Sequence, residues 1–237
     1  MVRSVIRWLL AHCLLAMLAS AALAQAAQQP RRQQFDFYVL ALSWSPSFCA
    51  TMAERWPSRA TRGLQCRTNA FGFVVHGLWP QYDNGFPENC EVPAPRLNRA
   101  IMTSMLDLMP SPRLVFDEWD RHGTCSGLSP RNYFDTVREA RSAVNLPAQF
   151  LDPRQPFKIS PAAVEEAFIK ANPALGRDDM AVECEAERLS EVRLCLSKDL
   201  KFRACPAHIV ARSCRRDQVL VPPPRGTTTG AASGGRR

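Results

Sequence analysis

Histidine is scarce in this chain, with four in 237 residues. No two cysteines stand in the C-x-x-C spacing typical of structural zinc sites. No cluster of carboxylates offers the oxygen ligands that would hold a divalent cation. Beyond about Leu23 no apolar run is long enough to span a bilayer, and no internal repeat is visible. These absences argue against a zinc module, a repeat array and a multi-span membrane protein. They leave no metal and no cofactor to be expected.

What is present first speaks of compartment. Arg3 and Arg7 precede an apolar run from Trp8 to about Leu23, and Ala22-Leu23-Ala24 fits the small-x-small pattern of a cleaved leader. Residues 1–24 are therefore expected to be a signal peptide, cut after Ala24 or Ala26. Residues 25–34 read as a flexible, Gln/Arg-rich lead-in, and 222–237 as a disordered tail of Pro followed by Gly, Thr, Ser and Ala. The single domain then covers 35–221, a length that can bury its own core as a monomer. Loss of the leader removes Cys13 and leaves eight cysteines: Cys49, Cys66, Cys90, Cys125, Cys184, Cys195, Cys205 and Cys214. An even count in an exported chain suggests four disulfides, although the count alone leaves their pairing open. A periplasmic or secreted location follows, with no stable membrane association once the leader is gone. The formal charge of +8 falls to about +6 without Arg3 and Arg7. That excess serves solubility, and it also favours approach to a polyanion.

Periodicity gives a mixed set of elements. FDFYVLALSW, residues 35–44, is aromatic and β-branched enough for a buried central strand, and FGFVV, 71–75, for a second that ends at His76. A helix is expected over 97–109, stopped by Pro110 and Pro112. Ser129-Pro130 and Ser160-Pro161 each pair a capping hydroxyl with a first-turn proline, starting helices that run to about Val144 and 171. In LSEVRLCLS, 189–197, Val192, Leu194 and Leu196 alternate with Glu191, Arg193 and Cys195. That is a strand, with 200–204 expected to return as its hairpin partner. The whole reads as α+β.

Three histidines lie beyond the leader. His208, between Ala207 and Ile209, has no reactive neighbours and reads as structural. His76 stands in VVHGLWPQY, where Trp79 and Tyr82 are either core or stacking surfaces for bases. His122 stands in FDEWDRHGTC; on a helix Glu118 and His122 share a face, with Arg121 beside them. The bland alternative is a salt-bridged surface cluster.

HGLWPQY, 76–82, and EWDRHGTC, 118–125, resemble the two active-site segments of the ribonuclease T2 family. The likeness extends through FDFYVLALSWSPSFC, Tyr133-Phe134, and LSEVRLCL with Cys205-Pro206, covering about 35–214. It implies an α+β fold around a central antiparallel sheet packed with helices and stabilised by disulfides. It implies an endoribonuclease that cuts single-stranded RNA through a 2′,3′-cyclic phosphate with little base specificity. His122 would be the general base, His76 the general acid, and Glu118 and Arg121 the stabilisers of the phosphorane. Trp79, Gln81 and Tyr82 would contact bases. The implied disulfides are Cys90–Cys125, Cys184–Cys214, Cys195–Cys205 and, for the remaining pair, Cys49–Cys66. Two positions depart from the family pattern: Arg121 stands where lysine is common, and Asp117 where a third histidine often lies. They motivate an alternative, a secreted RNA-binding protein of the same fold with reduced or lost catalysis.

Overall fold

A computed structural model describes residues 35–60, 63–68 and 71–224. The expected leader, the lead-in and the tail beyond 224 lie outside the described residues. Chain order is β1 (Phe37–Trp44), α1 (Ser45–Arg55), two helical turns (Pro57–Ala60 and Leu64–Thr68), β2 (Phe73–Gln81), α2 (Arg99–Ser104), α3 (Pro112–Arg121), α4 (Pro130–Ser142), β3 (Phe157–Ile159), α5 (Pro161–Ala171), β4 (Met180–Glu185), β5 (Arg188–Leu196), α6 (Ala207–Val210) and β6 (Val219–Val221). The strands form one sheet in the order β2-β1-β5-β6-β3, with β4 also on β5. Its pairings are antiparallel except for a single parallel contact between β5 and β6 at Arg188 and Leu220.

Both faces of the central strands are covered. Leu40, Leu42, Val75, Leu78, Val192 and Leu194 face the main core, where Trp44, Trp119, Tyr133, Phe134, Phe150 and Phe168 are buried. Phe37, Val39, Ala41, Trp79 and Cys195 face a smaller cluster on the other side. The free edge of β2 is sealed by neighbours: Val75 donates to the Leu108 carbonyl, and the Tyr133 hydroxyl to the Leu78 carbonyl. An edge so covered can carry Pro80, which has no amide hydrogen for a further strand.

Several expectations need correction. The second strand does not stop before His76 but runs on to Gln81. The segment 200–204 forms only one isolated bridge, Leu196 with Phe202, and the true hairpin partner of β5 is β4. The helix expected over 97–109 is regular only from Arg99 to Ser104, capped by the Asn98 side chain on the Ile101 amide. Pro112 does not stop that helix; it begins α3, with Ser111 capping the Leu114 amide. Pro222, placed in the tail, accepts a hydrogen bond from the Trp44 indole at 2.9 Å.

Four disulfides cross-link the domain: Cys49–Cys66, Cys90–Cys125, Cys184–Cys214 and Cys195–Cys205. Such bridges suit an oxidising, extracytoplasmic compartment. Among the described residues no helix is long and apolar enough to cross a membrane.

Candidate active site

His76 owes its position to a fault in the strand ladder. Ala41 pairs with Gly77 and Leu42 with Val75, so His76 is an extra residue with no partner on β1. Such a bulge re-aims one side chain without breaking the strand. It lets Val75 and Leu78 share the main-core face although they are three apart, while Trp79 turns to the other face.

His122 comes from a helix end. Its amide donates to the Glu118 carbonyl at 3.0 Å, closing the last turn of α3, and Gly123 then opens a short 3₁₀ turn that includes Cys125. The helix is pinned by Trp119, which is 1% exposed and donates its indole N–H to the Pro95 carbonyl at 2.7 Å. Glu118, one residue earlier, reaches over β2 to the Trp79 face.

The glycine after each histidine has a steric cause. A Cβ on Gly77 would lie 2.0 Å from Glu118 Oε2, and one on Gly123 would lie 2.4 Å from the Trp119 ring. A larger residue at position 77 would drive the two segments apart, and one at position 123 would displace Trp119 and Tyr133. The repeated His-Gly of the sequence is therefore a packing requirement of the site.

Trp79 stands between the histidines, its ring centroid 5.2 Å from that of His76 and 5.4 Å from that of His122. Its indole N–H donates to Glu118 Oε2 at 2.7 Å. The second oxygen of Glu118 lies 3.7 Å from His76 Nε2, and the other ring nitrogen of His76, Nδ1, lies 2.7 Å from Glu191 Oε1.

The surroundings shift the proton affinities of the two rings in opposite directions. Burial lowers the affinity of His122 for a proton, and the charges of Arg121 and His76 lower it further, to about 4. Its Nδ1 atom is buried with no hydrogen-bond partner, so an imidazolium there would hold an unsatisfied N–H. Partial burial also acts against a charged His76, but the Glu191 hydrogen bond and the charges of Glu191 and Glu118 outweigh it and raise its pKa. Burial pushes the Glu118 carboxyl up to about 7, against the opposing pull of His76 and Trp79.

A family model described as "Ribonuclease T2 family" matches residues 35–205. The chain belongs to the ribonuclease T2 family. It is 34% identical over 155 residues to a "Probable ribonuclease" of Haemophilus influenzae, covering 61% of this chain and 57% of that one. With a "Ribonuclease" of Aeromonas hydrophila the identity is 42% over 109 residues, or 46% of each chain. The chain thus spans about half the length of these curated relatives. Among solved structures, RNase NT in complex with 5′-AMP superposes with a TM-score of 0.62 at 25% identity, over 81% of this chain and 100% of that chain. An RNase-related protein from Calystegia sepium does so with a TM-score of 0.61 at 21% identity, over 81% and 98%.

Within this family fold the candidate residues are not equally free. Arg121 directs its Nε to Glu88 Oε2 at 2.7 Å, on the protein surface. Asp117 is exposed and paired with Arg113 on its own helix. Trp79 is only 9% exposed and carries the Arg193 guanidinium 4.9 Å from its ring centroid. Little of the indole surface is exposed in this arrangement. Gln81 is buried too, its amide donating to the Pro80 carbonyl. Of the three base-binding candidates only Tyr82 presents substantial surface. A cavity of about 300 Å³ beside His76, walled by Phe48, Met52, Val74 and Leu114, was not foreseen. Nor were the roles of Glu191 and Arg193, which are 7% and 9% exposed. His208 sits in α6, with its Nε2 buried and unpartnered.

Among the described residues no group of three or more His, Cys, Asp or Glu side chains is arranged to hold a metal ion.

Proposed function

We propose that this protein is an exported endoribonuclease, periplasmic or secreted, that cleaves single-stranded RNA by transphosphorylation to a 2′,3′-cyclic phosphate. One observation carries the reading: two histidines lie against one indole, the pKa of one lowered by burial and that of the other raised by neighbouring carboxylates. Environments that separate two pKa values in this way assign a base and an acid.

His122, neutral above about pH 4, takes the proton of the ribose 2′-OH. The oxygen attacks phosphorus, and His76 Nε2–H protonates the departing 5′-oxygen as the P–O bond breaks. Below about pH 7 Glu118 holds a proton, so it can donate a hydrogen bond to a phosphoryl oxygen instead of repelling it. Arg121 supplies positive charge nearby, once its contact with Glu88 is exchanged for phosphate. The nucleophile is part of the substrate, so no metal is needed to make one. The exposed walls of the cavity beside His76 are largely apolar although Ser43, Gln65, Ser111 and Arg113 also line it, which supports little base specificity.

The test is mass spectrometry of a short RNA oligomer after brief digestion with EDTA present, beside a copy carrying one 2′-deoxy sugar at the cut site. A cyclic phosphate with a free 5′-OH is expected from the first, and no cut at the deoxy position of the second. Cleavage at the deoxy sugar, or 5′-phosphate ends, would mean that the internal hydroxyl is not the nucleophile. RNA bound but left uncut would favour a binding protein that has lost turnover.

A further inference from the structure

The buried face of β5 carries charges that stability does not explain. Glu191 and Arg193, two apart on one strand, share that face. Glu191 uses both oxygens: Oε1 meets His76 Nδ1 and Oε2 accepts from Arg193 Nε, each at 2.7 Å. Arg193 also donates to Glu183 Oε1 on β4 at 2.9 Å and lies over the Trp79 ring. Glu183 in turn receives Arg212 Nε at 2.9 Å, where the chain of charges meets solvent. Burying ion pairs costs desolvation that their mutual attraction often fails to recover, and apolar replacements are commonly as stable. A row of three charges ending on a histidine therefore asks for another reason.

We propose that Glu191 is the positioning residue of the general acid: it receives the Nδ1–H of His76, fixes the ring so that Nε2 faces the reacting phosphate, and is itself held in place by Arg193. The proposal rests on the reading of His76 as that acid. A histidine free to flip or to change tautomer would present the wrong nitrogen for part of the time. With Nδ1–H held by a carboxylate, the proton lost to the leaving oxygen comes from Nε2, and the neutral ring keeps Nδ1–H on Glu191. The charged groups facing His76 are Glu191 and Arg193 from β5 and Glu118 from α3, with His122 beyond Trp79. Glu191 is the one among them whose charge and hydrogen bond both favour the protonated ring.

The sign follows. An acid works while protonated, so the pKa of His76 sets the alkaline limb of the kcat/KM profile. Glu191→Gln keeps an acceptor for Nδ1–H but removes the charge, which lowers that pKa. The alkaline limb should move down by about one pH unit, and kcat at pH 7 should fall about ten-fold with KM changed less than about two-fold. Ring ¹⁵N spectroscopy of the wild-type protein gives a readout independent of any variant: neutral His76 should be the Nδ1–H tautomer, with Nε2 the nitrogen that titrates. A neutral Nε2–H tautomer overturns the proposal, and so does an alkaline limb unmoved in folded Glu191→Gln. His76→Ala, assayed alongside, separates this from the reading beneath it. Full turnover in that variant removes His76 as the acid altogether, whereas a dead His76→Ala with an unmoved limb in Glu191→Gln defeats only the role of Glu191.

Discussion

His76 reaches solvent from a bulge in an edge strand, with a carboxylate near each ring nitrogen; His122 closes a helix, is buried, and has an Nδ1 atom with no partner. One indole contacts both. The chemical identity of the side chain is the same, so the difference in protonation comes wholly from position. The sheet offers the first histidine an acid from another strand, Glu191, and α3 adds Glu118. A helix end offers the second only Arg121 beside it and the apolar packing of Trp79. In the proposed mechanism two copies of one residue thereby serve as proton donor and proton acceptor over the same interval of pH.

The strongest way to break the comparison is to remove either ring. His76→Ala and His122→Ala should each lower turnover at least about 100-fold, because each deletes one end of the proton transfer. Steady-state rates on a short RNA, with circular dichroism to establish folding, check this; near-normal turnover in either would take that histidine out of the mechanism.

Next in size is the support of the His122 side. The Cys90–Cys125 bridge ends three residues past His122, whereas the surroundings of His76 are held by the sheet. Replacing both cysteines by serine should cost about 2–5 kcal/mol of stability and reduce activity as well. Urea melts and rates measured on one preparation test it, and full activity in a destabilised variant would show that the bridge supports the fold alone.

Glu118 sharpens the comparison from between the rings. Its folded-state pKa is raised from 4.5 to about 7, so the protonated form is the one the fold favours. That contribution is present below pH 4.5 and is lost as pH rises through about 7. Glu118→Gln, which cannot ionise, should gain on the wild type by on the order of 2–3 kcal/mol between acid and pH 8. His122 has the opposite sign: its lowered pKa makes the fold lose stability as pH falls from 6.5 toward about 4. Melting curves at pH 5 and pH 8 decide the Glu118 case, and parallel pH dependence of the two proteins would contradict it.

The smallest effect belongs to Arg121. Its charge holds the pKa of His122 down, so Arg121→Gln should let it rise and move the acid limb of kcat/KM upward by less than about one unit. The same variant should lower kcat more than it raises KM if the guanidinium acts in the transition state. A changed KM alone, with the acid limb in place, would assign Arg121 to substrate binding.

Much of this was legible in the sequence because it rests on local signals. Ser129-Pro130 and Ser160-Pro161 begin α4 and α5, and the spacing of Glu118 and His122 is that of one helical turn. The illegible parts depend on distant neighbours. Pro80 is tolerated in β2 because that strand lies at an edge already covered. Polar alternation in β5 normally marks a wet face, yet Glu191 and Arg193 are enclosed by His76, Trp79 and Glu183, all brought in from other strands. Likewise the burial of Trp79 and Gln81 comes from distant neighbours that no local pattern announces. The short strands β4 and β6 have too little pattern of their own to announce themselves.

The bulge at His76 has a meaning for how this chain can change. In a regular strand, side chains alternate between faces, so a count of residues is also a count of phase. The extra residue at position 76 resets that count, which is why Val75 and Leu78 meet the same core. Removing one residue between Val75 and Gly77 would not merely shorten a segment. It would leave a ladder more regular than before and delete the one position of β2 that has no partner on β1. Insertions and deletions here are errors of phase, and the irregularity in the sheet is the very thing that an otherwise tidier protein could not do without.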